Sequence, residues 1–194
     1  MKTFAEEERK FFEGYEIYGS RKHQYARHRA VLDSWRRVNV GTILDVGCGY
    51  GDLVPMIQVE FPKFVRYQGV DVTPRCIHKA IATCTDDRCH FQEGTVFDIS
   101  LVYDAVAAIG IFSKNTDDWE GLVAATIEKM WQQTKRVMSF TTMHPCMWEV
   151  PDTDRVCDER QMLSWILELP NVAGFQLQRV DPEYVNIATV YRKC

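Results

Sequence analysis

The sequence predicts an α/β fold, in which an open, mostly parallel β-sheet has helices on both faces and ends in an antiparallel hairpin. Short apolar segments alternate along the chain with segments of helical period. The segment 42–53, which reads TILDVGCGYGDL, leads from a buried strand through a glycine-rich turn into a helix. Only a short turn at 181–184 separates the last two strands, so that pair must be antiparallel.

The predicted elements follow one another with short connections. Pro74 is suited to a helix start, and Pro170 ends a later helix. Strands are predicted at 42–46, 65–73, 90–96, 103–112, 135–143, 175–180 and 185–192, and helices at 52–60, 74–84, 119–134 and 158–169, after two helical pieces within 4–38. The sequence therefore predicts a doubly wound, seven-stranded sheet, with an abbreviated crossover at 97–102.

The bulk properties fit one domain. A chain of 194 residues can bury a single core, and we expect one domain over 1–194, with a helical cap at 1–40 and an α/β core at 41–194. The net charge of -4 excludes a surface built wholly to neutralise nucleic-acid phosphates. The sequence leaves the oligomeric state open.

The cysteines and the start of the chain predict a cytoplasmic protein. Seven cysteines without a repeating spacing do not suggest a disulfide framework. The first residues are too charged for a signal peptide, and no apolar run approaches the roughly 18 residues of a membrane span. We therefore expect a soluble, cytoplasmic protein without a membrane partner.

Several polar and glycine-rich segments follow directly after predicted strands. Because the carboxyl ends of parallel strands share one edge of a sheet, these segments should line one crevice. They are 45–51, 71, 95–98, 109–115 and 143–148. The crevice is the predicted ligand site.

The glycines in this first segment are spaced GxGxG and follow Asp45, and Asp71 lies 22 residues beyond Gly49. This arrangement resembles motif I and the following acidic residue of class I S-adenosylmethionine-dependent methyltransferases. The segments IGIFSKN, TIEKMW and VDPEYVNIATVYR further resemble a little-characterised group of small bacterial and phage-type members. The resemblance implies a Rossmann-like fold, S-adenosylmethionine as cofactor, and methyl transfer by in-line displacement.

The resemblance also implies which residues contact the cofactor. Asp71 would accept hydrogen bonds from the two ribose hydroxyls. In place of the usual Gly-Asp after the third strand the chain has Gly94-Thr95, so Thr95 or Asp98 would substitute near the adenine. The implied cofactor-binding set is Asp45, Gly47, Cys48, Gly49, Asp71, Val72, Thr95, Val96 and Ile109.

The acceptor is less constrained by the sequence. The end of strand four reads IGIF, which lacks the (D/N)PPY motif of amino methylation on adenine or cytosine. We expect a small-molecule or small polar acceptor. Two alternatives stay open: a nucleic acid or modified nucleotide held by the basic helix at 21–29, and a regulatory protein that binds S-adenosylmethionine without catalysis.

Candidate acceptor-side residues come from the loops and the amino-terminal helices. His144 is the candidate general base, although a loop histidine that bonds to backbone is the commoner case. Tyr18, His23, Tyr25 and Trp148 are the candidate substrate residues. No zinc-type spacing occurs among the cysteines and histidines, so no metal site is expected.

The helix after Ser20 has apolar residues at the spacing of one helical face. Tyr25, His28, Leu32 and Trp35 follow the i, i+3, i+7, i+10 pattern, and this pattern predicts that all four face the core. The basic residues between 21 and 29 would then form a solvated face, or a surface that attracts an anionic group.

Overall fold

The computed structural model describes residues 21–145, 152, 154–180 and 185–193. Its helices are α1 (Arg21–Trp35), α2 (Val54–Glu60), α3 (Pro74–Thr83), α4 (Trp119–Gln132) and α5 (Glu159–Glu168), with a 3-10 turn at Val96–Asp98. Its strands are β1 (Thr42–Val46), β2 (Arg66–Asp71), β3 (Cys89–Glu93), β4 (Tyr103–Ala108), β5 (Thr134–Met143), β6 (Val172–Val180) and β7 (Val185–Arg192).

The strands form one sheet in the order β3-β2-β1-β4-β5-β7-β6. The pairs from β3 to β5 are parallel, whereas β7 is antiparallel to both β5 and β6. The strand order reverses between β1 and β4, which is where ligands bind in open α/β sheets. The predicted fold class, a seven-stranded sheet with a terminal antiparallel hairpin, is confirmed.

Apolar side chains cover both faces of the sheet. Leu44 and Val106 point into a cluster that includes residues of α4 and α5, while Ile43 and Ala105 point into a second cluster with α1 and α2. The alternation follows from the period of two along a strand. Since both faces are buried, the edge at the carboxyl ends of the strands stays available for ligands.

Strands three and four end earlier than predicted. The sequence predicted strands to Val96 and to Phe112, but β3 ends at Glu93 and β4 ends at Ala108. Gly94 and Gly110 follow these ends with φ of 147° and 86°. Such positive φ angles cannot continue a strand, so each glycine turns the chain into a loop at the crevice edge.

Helix α1 is present, but the prediction of its buried face is wrong for one residue. His28, Leu32 and Trp35 are buried, whereas Tyr25 is 57% exposed. The neighbouring Gln24 is buried in its place, because its amide has a carboxylate partner on the sheet side. The predicted helical piece before Gly19 lies outside the described residues.

Candidate functional site

The glycine-rich loop between β1 and α2 is held tightly against the end of β2. The amides of Gly47 and Cys48 both donate to the carbonyl oxygen of Val70, at 2.8 and 3.0 Å. Gly47 has φ of 74°, and a Cβ built there would lie 2.1 Å from Cγ2 of Ile111. Only glycine therefore lets the loop pass so close to the segment after β4.

Asp71 ends β2 and organises the loop from the other side. One carboxylate oxygen accepts from the amide of Gly49, and the other accepts from the amide of Thr73, both at 2.9 Å. Burial raises the pKa of this carboxyl, and the two amide hydrogen bonds oppose that shift. The Thr73 side chain also bonds to this carboxylate. Since a carboxylate has about four acceptor positions, it can still accept a bond from a ribose hydroxyl.

Asp45 does not reach the crevice surface in the way that Asp71 does. Its side chain is 4% exposed, and the hydroxyl of Tyr67 donates to it at 2.6 Å. Burial raises the pKa of Asp45 to about 7, against the opposing bond from Tyr67 and with a further rise from the charges of Asp71 and Asp52. Asp45 thus supports the loop from below, as a buried acid bonded to a phenol.

The residues after β3 are tied to one another. The amide and the hydroxyl of Thr95 both donate to Asp98, at 2.8 and 3.0 Å, and the Thr95 hydroxyl accepts from the amide of Phe97. This is a capping box around the 3-10 turn. Val96 and Val72 are buried apolar residues next to this turn and after β2. The two substitutes predicted for the missing aspartate therefore form one bonded unit.

The end of β4 leaves free space at the crevice. Ile109 is buried, whereas Gly110 is exposed, and a Cβ added to Gly110 would meet nothing within 4 Å. The Gly110 amide donates to the hydroxyl of Thr141 on β5 at 2.8 Å. The backbone here is fixed by a neighbouring strand and still open on its outer side.

His144, just after β5, is 6% exposed and lies in a charged cluster. A guanidinium nitrogen of Arg179 lies 2.7 Å from Nε2 of His144 and donates to Glu159 at 2.6 Å. Nε2 of His144 also lies 3.5 Å from a carboxylate oxygen of Glu159. The bond from Arg179 lowers the pKa of Glu159. His144 is therefore a buried imidazole in contact with Arg179 and Glu159.

The loop after β4 is joined to the segment before α5. Lys114 pairs with Asp154 at 2.6 Å, and the amide of Arg155 donates to the carbonyl of Ser113 at 2.7 Å. The Arg155 side chain donates to the amide oxygen of Asn115 at 2.7 Å. These contacts fix one wall of the crevice on the acceptor side.

The predicted substrate residues are not all brought together. Tyr18 and Trp148 lie outside the described residues. His23 and Tyr25 are in the first turns of α1, and Tyr25 faces solvent. Within the described ranges, no group of three or more His, Cys, Asp or Glu side chains is placed so that it could hold a metal ion.

Sequence reasoning missed several residues of the site. Tyr67, Arg179 and Ile111 were not singled out, although each contacts a predicted site residue. Gln24, which donates to Asp52 beside the loop at 3.1 Å, was also missed. No local pattern marks these residues, since each contact joins segments far apart in the sequence.

The residues present fit S-adenosylmethionine. The loop has glycine where a Cβ would be blocked, Asp71 presents a carboxylate with spare acceptor capacity, and Gly110 leaves open space at the next strand end. Together with the seven-stranded sheet and its antiparallel β7, these features define a class I S-adenosylmethionine-dependent methyltransferase. The chain belongs to the family described as a methyltransferase domain, whose model matches residues 43–139.

Similar proteins agree with this assignment. The malonyl-[acyl-carrier protein] O-methyltransferase of Priestia megaterium is 29% identical over 116 residues, and the match spans 54% of this chain but only 40% of that protein's length. Two solved structures share the fold. Magnesium protoporphyrin IX methyltransferase from Synechocystis with bound SAM has a TM-score of 0.70 at 15% identity, covering 97% of each chain. The N-methyltransferase NodS from Bradyrhizobium japonicum with S-adenosyl-L-homocysteine has a TM-score of 0.69 at 15% identity, covering 97% of this chain and 96% of NodS.

None of the helices within the described ranges is both long and apolar enough to cross a membrane.

Proposed function

We propose that the protein transfers a methyl group from S-adenosylmethionine to a small-molecule or small polar acceptor. One observation supports this choice over a polyanionic acceptor. Two cationic side chains of the described acceptor side are paired with carboxylates, Lys114 with Asp154 and Arg179 with Glu159. A phosphate backbone would have to compete with these carboxylates.

Helix α1 offers little free positive charge to a nucleic-acid acceptor at two of its basic positions. Among its basic residues, His28 is buried, and Arg29 is paired with Glu60 and Asp33. The names of two similar proteins specify malonyl-[acyl-carrier protein] and magnesium protoporphyrin IX. Both names favour an acceptor that the enzyme recognises through contacts near the reacting group, and not through a long charged surface.

The chain's own residues would act mainly by positioning. S-adenosylmethionine supplies a methyl group on a positively charged sulfonium, which a nucleophile takes directly. Asp71 would hold the ribose hydroxyls, the backbone from Ala108 to Gly110 would meet the methionine end, and Ile111 would help to exclude water. The acceptor would enter over Gly110, where the space is open.

His144 stays our candidate for a general base. Its Nε2 lies 2.7 Å from a guanidinium nitrogen of Arg179, so this contact must open before Nε2 can take a proton from an acceptor. If it removes a proton from the acceptor, His144→Ala lowers kcat by about 10²–10⁴-fold and leaves the Kd for S-adenosylmethionine unchanged. A variant that loses only thermal stability would give His144 a purely structural role.

The acceptor class is tested with fractionated cell extract. The purified chain is incubated with methyl-labelled S-adenosylmethionine and either a low-mass metabolite fraction or a nucleic-acid fraction, with Asp71→Ala as the inactive control. We expect label in low-mass products that survive nuclease treatment. Label that becomes acid-soluble only after nuclease would support the nucleic-acid alternative, and cofactor binding without turnover in any fraction would support the regulatory one.

A further inference from the structure

Helix α1 touches the cofactor loop at one polar contact. The side-chain amide of Gln24, which is 8% exposed, donates to a carboxylate oxygen of Asp52 at 3.1 Å. Asp52 directly follows Gly51, the third glycine of the loop, and precedes α2. The contact therefore joins the first turns of α1 to the last turn of the loop.

Asp52 is exposed, and its charge acts on two buried neighbours. His28 is one turn further along α1 and is 6% exposed. The charge of Asp52 raises the pKa of His28, although burial and Arg27 outweigh it and lower the value to about 4. The same charge raises the pKa of the buried Asp45. Asp52 thus lies between the polar face of α1 and the acid that underlies the loop.

The rest of α1 is fixed without this contact. Trp35 donates to Ser139 on β5 at 3.0 Å, and Ser34 accepts from Thr189 on β7 at 3.0 Å. Arg29 donates to Glu60 at the far end of α2 at 2.6 Å. Since the helix is already anchored to the sheet, the Gln24 bond serves to restrain the loop rather than to hold the helix.

We propose that Gln24, acting through Asp52, is a positioning residue for the cofactor loop, so that α1 is a working part of the cofactor site. The helix lies outside the matched segment 43–139. A loop that is already ordered loses less conformational freedom when the cofactor binds, and this raises affinity without a new contact to the ligand. Loss of the restraint should therefore weaken binding and leave the fold in place.

The test is calorimetric titration of the full chain with S-adenosylmethionine and with S-adenosylhomocysteine. Gln24→Ala should raise both Kd values by about five- to tenfold, the effect of losing roughly one net hydrogen bond. The factor should be the same for both ligands, because the change is in the loop and does not concern the sulfonium charge. Gln24→Lys, which can still donate to Asp52, should restore most of the affinity.

Arg29→Ala is the matched control, since it removes a contact of the same helix with α2 far from the loop. It should leave both Kd values within about twofold of wild type. In the double variant Gln24→Ala with Asp52→Ala, the loss should not exceed that of Asp52→Ala alone. Unchanged affinity in Gln24→Ala, an equal loss in Arg29→Ala, or additive losses in the double variant would each overturn the proposal.

Discussion

Replacement of Gly47 by alanine tests whether the loop and the segment after β4 are as closely packed as the structure shows. Gly47 has φ of 74°, and its missing Cβ would lie 2.1 Å from Cγ2 of Ile111. The left-handed conformation costs a non-glycine residue about 1–2 kcal/mol. The overlap is well inside the roughly 3.5–4.0 Å of a carbon contact, and relieving it should cost about 1–3 kcal/mol more.

Gly110→Ala is the control that separates these two costs. Gly110 has a similar φ of 86°, but a Cβ there would meet nothing within 4 Å. It should lose only the conformational part, about 1–2 kcal/mol of unfolding free energy. Gly47→Ala should lose about 3 kcal/mol, since both costs apply.

Urea denaturation of the two variants gives the comparison directly. A third variant, Gly47→Ala with Ile111→Ala, removes the overlapping methyl group. Its loss should be smaller than the sum of the two single losses by about 1–3 kcal/mol, because the overlap is absent in the double variant. Equal losses for Gly47→Ala and Gly110→Ala, with additivity in the double variant, would show that Ile111 is not against the loop.

Three further predictions concern the buried titratable groups and the cofactor. Asp71→Ala removes the acceptor for two loop amides and for the ribose, so calorimetry should show the Kd for S-adenosylmethionine raised by about 100-fold while the fold is kept; an unchanged Kd would refute its role. Burial raises the pKa of folded Asp45 to about 7, above the unfolded value of 3.8. Its contribution to the free energy of unfolding is therefore fully present below pH 3.8, and about 4 kcal/mol is lost as the pH rises through 7. In urea titrations, Asp45→Asn should abolish this dependence of stability on pH. Burial lowers the pKa of folded His28 to about 4. Its contribution to the free energy of unfolding is therefore present above pH 6.5, and about 3 kcal/mol is lost as the pH falls to 4. His28→Gln should remove this dependence of stability on pH, and a dependence that persists in the variant would refute the burial argument.

The pattern in the sequence was sufficient for the features that depend on local order. The strand before Gly47 and the spacing to Asp71 lie in short segments, so the alternation of elements and the glycine-rich turn after the first strand could be predicted. The fold follows because buried parallel strands and helical segments leave few ways to connect them. Strands three and four were predicted to run past Gly94 and Gly110, because residues suited to strands follow both glycines and only the positive φ marks the turns.

The features that were missed depend on contacts between distant segments. Tyr25 was predicted to be buried since tyrosine is largely apolar, yet Gln24 occupies that position because Asp52, 28 residues away, accepts its hydrogen bond. The phenol that bonds to Asp45 comes from Tyr67 on the neighbouring strand. A pattern along the chain carries no information on such pairs, so they needed the three-dimensional structure.

The position of β7 has a consequence for how the chain assembles. This strand lies between β5 and β6 in the sheet, although 41 residues of the chain separate its start from Met143 at the end of β5. Until residues 185–192 are available, β5 is an open edge with unpaired amides and carbonyls, and Ala188 and Ile187 are absent from the two apolar clusters. The strands from β3 to β4 pair through short crossovers, whereas the pairing of β5 with β7 joins segments that are far apart in the sequence, and contacts of that kind are slow to form.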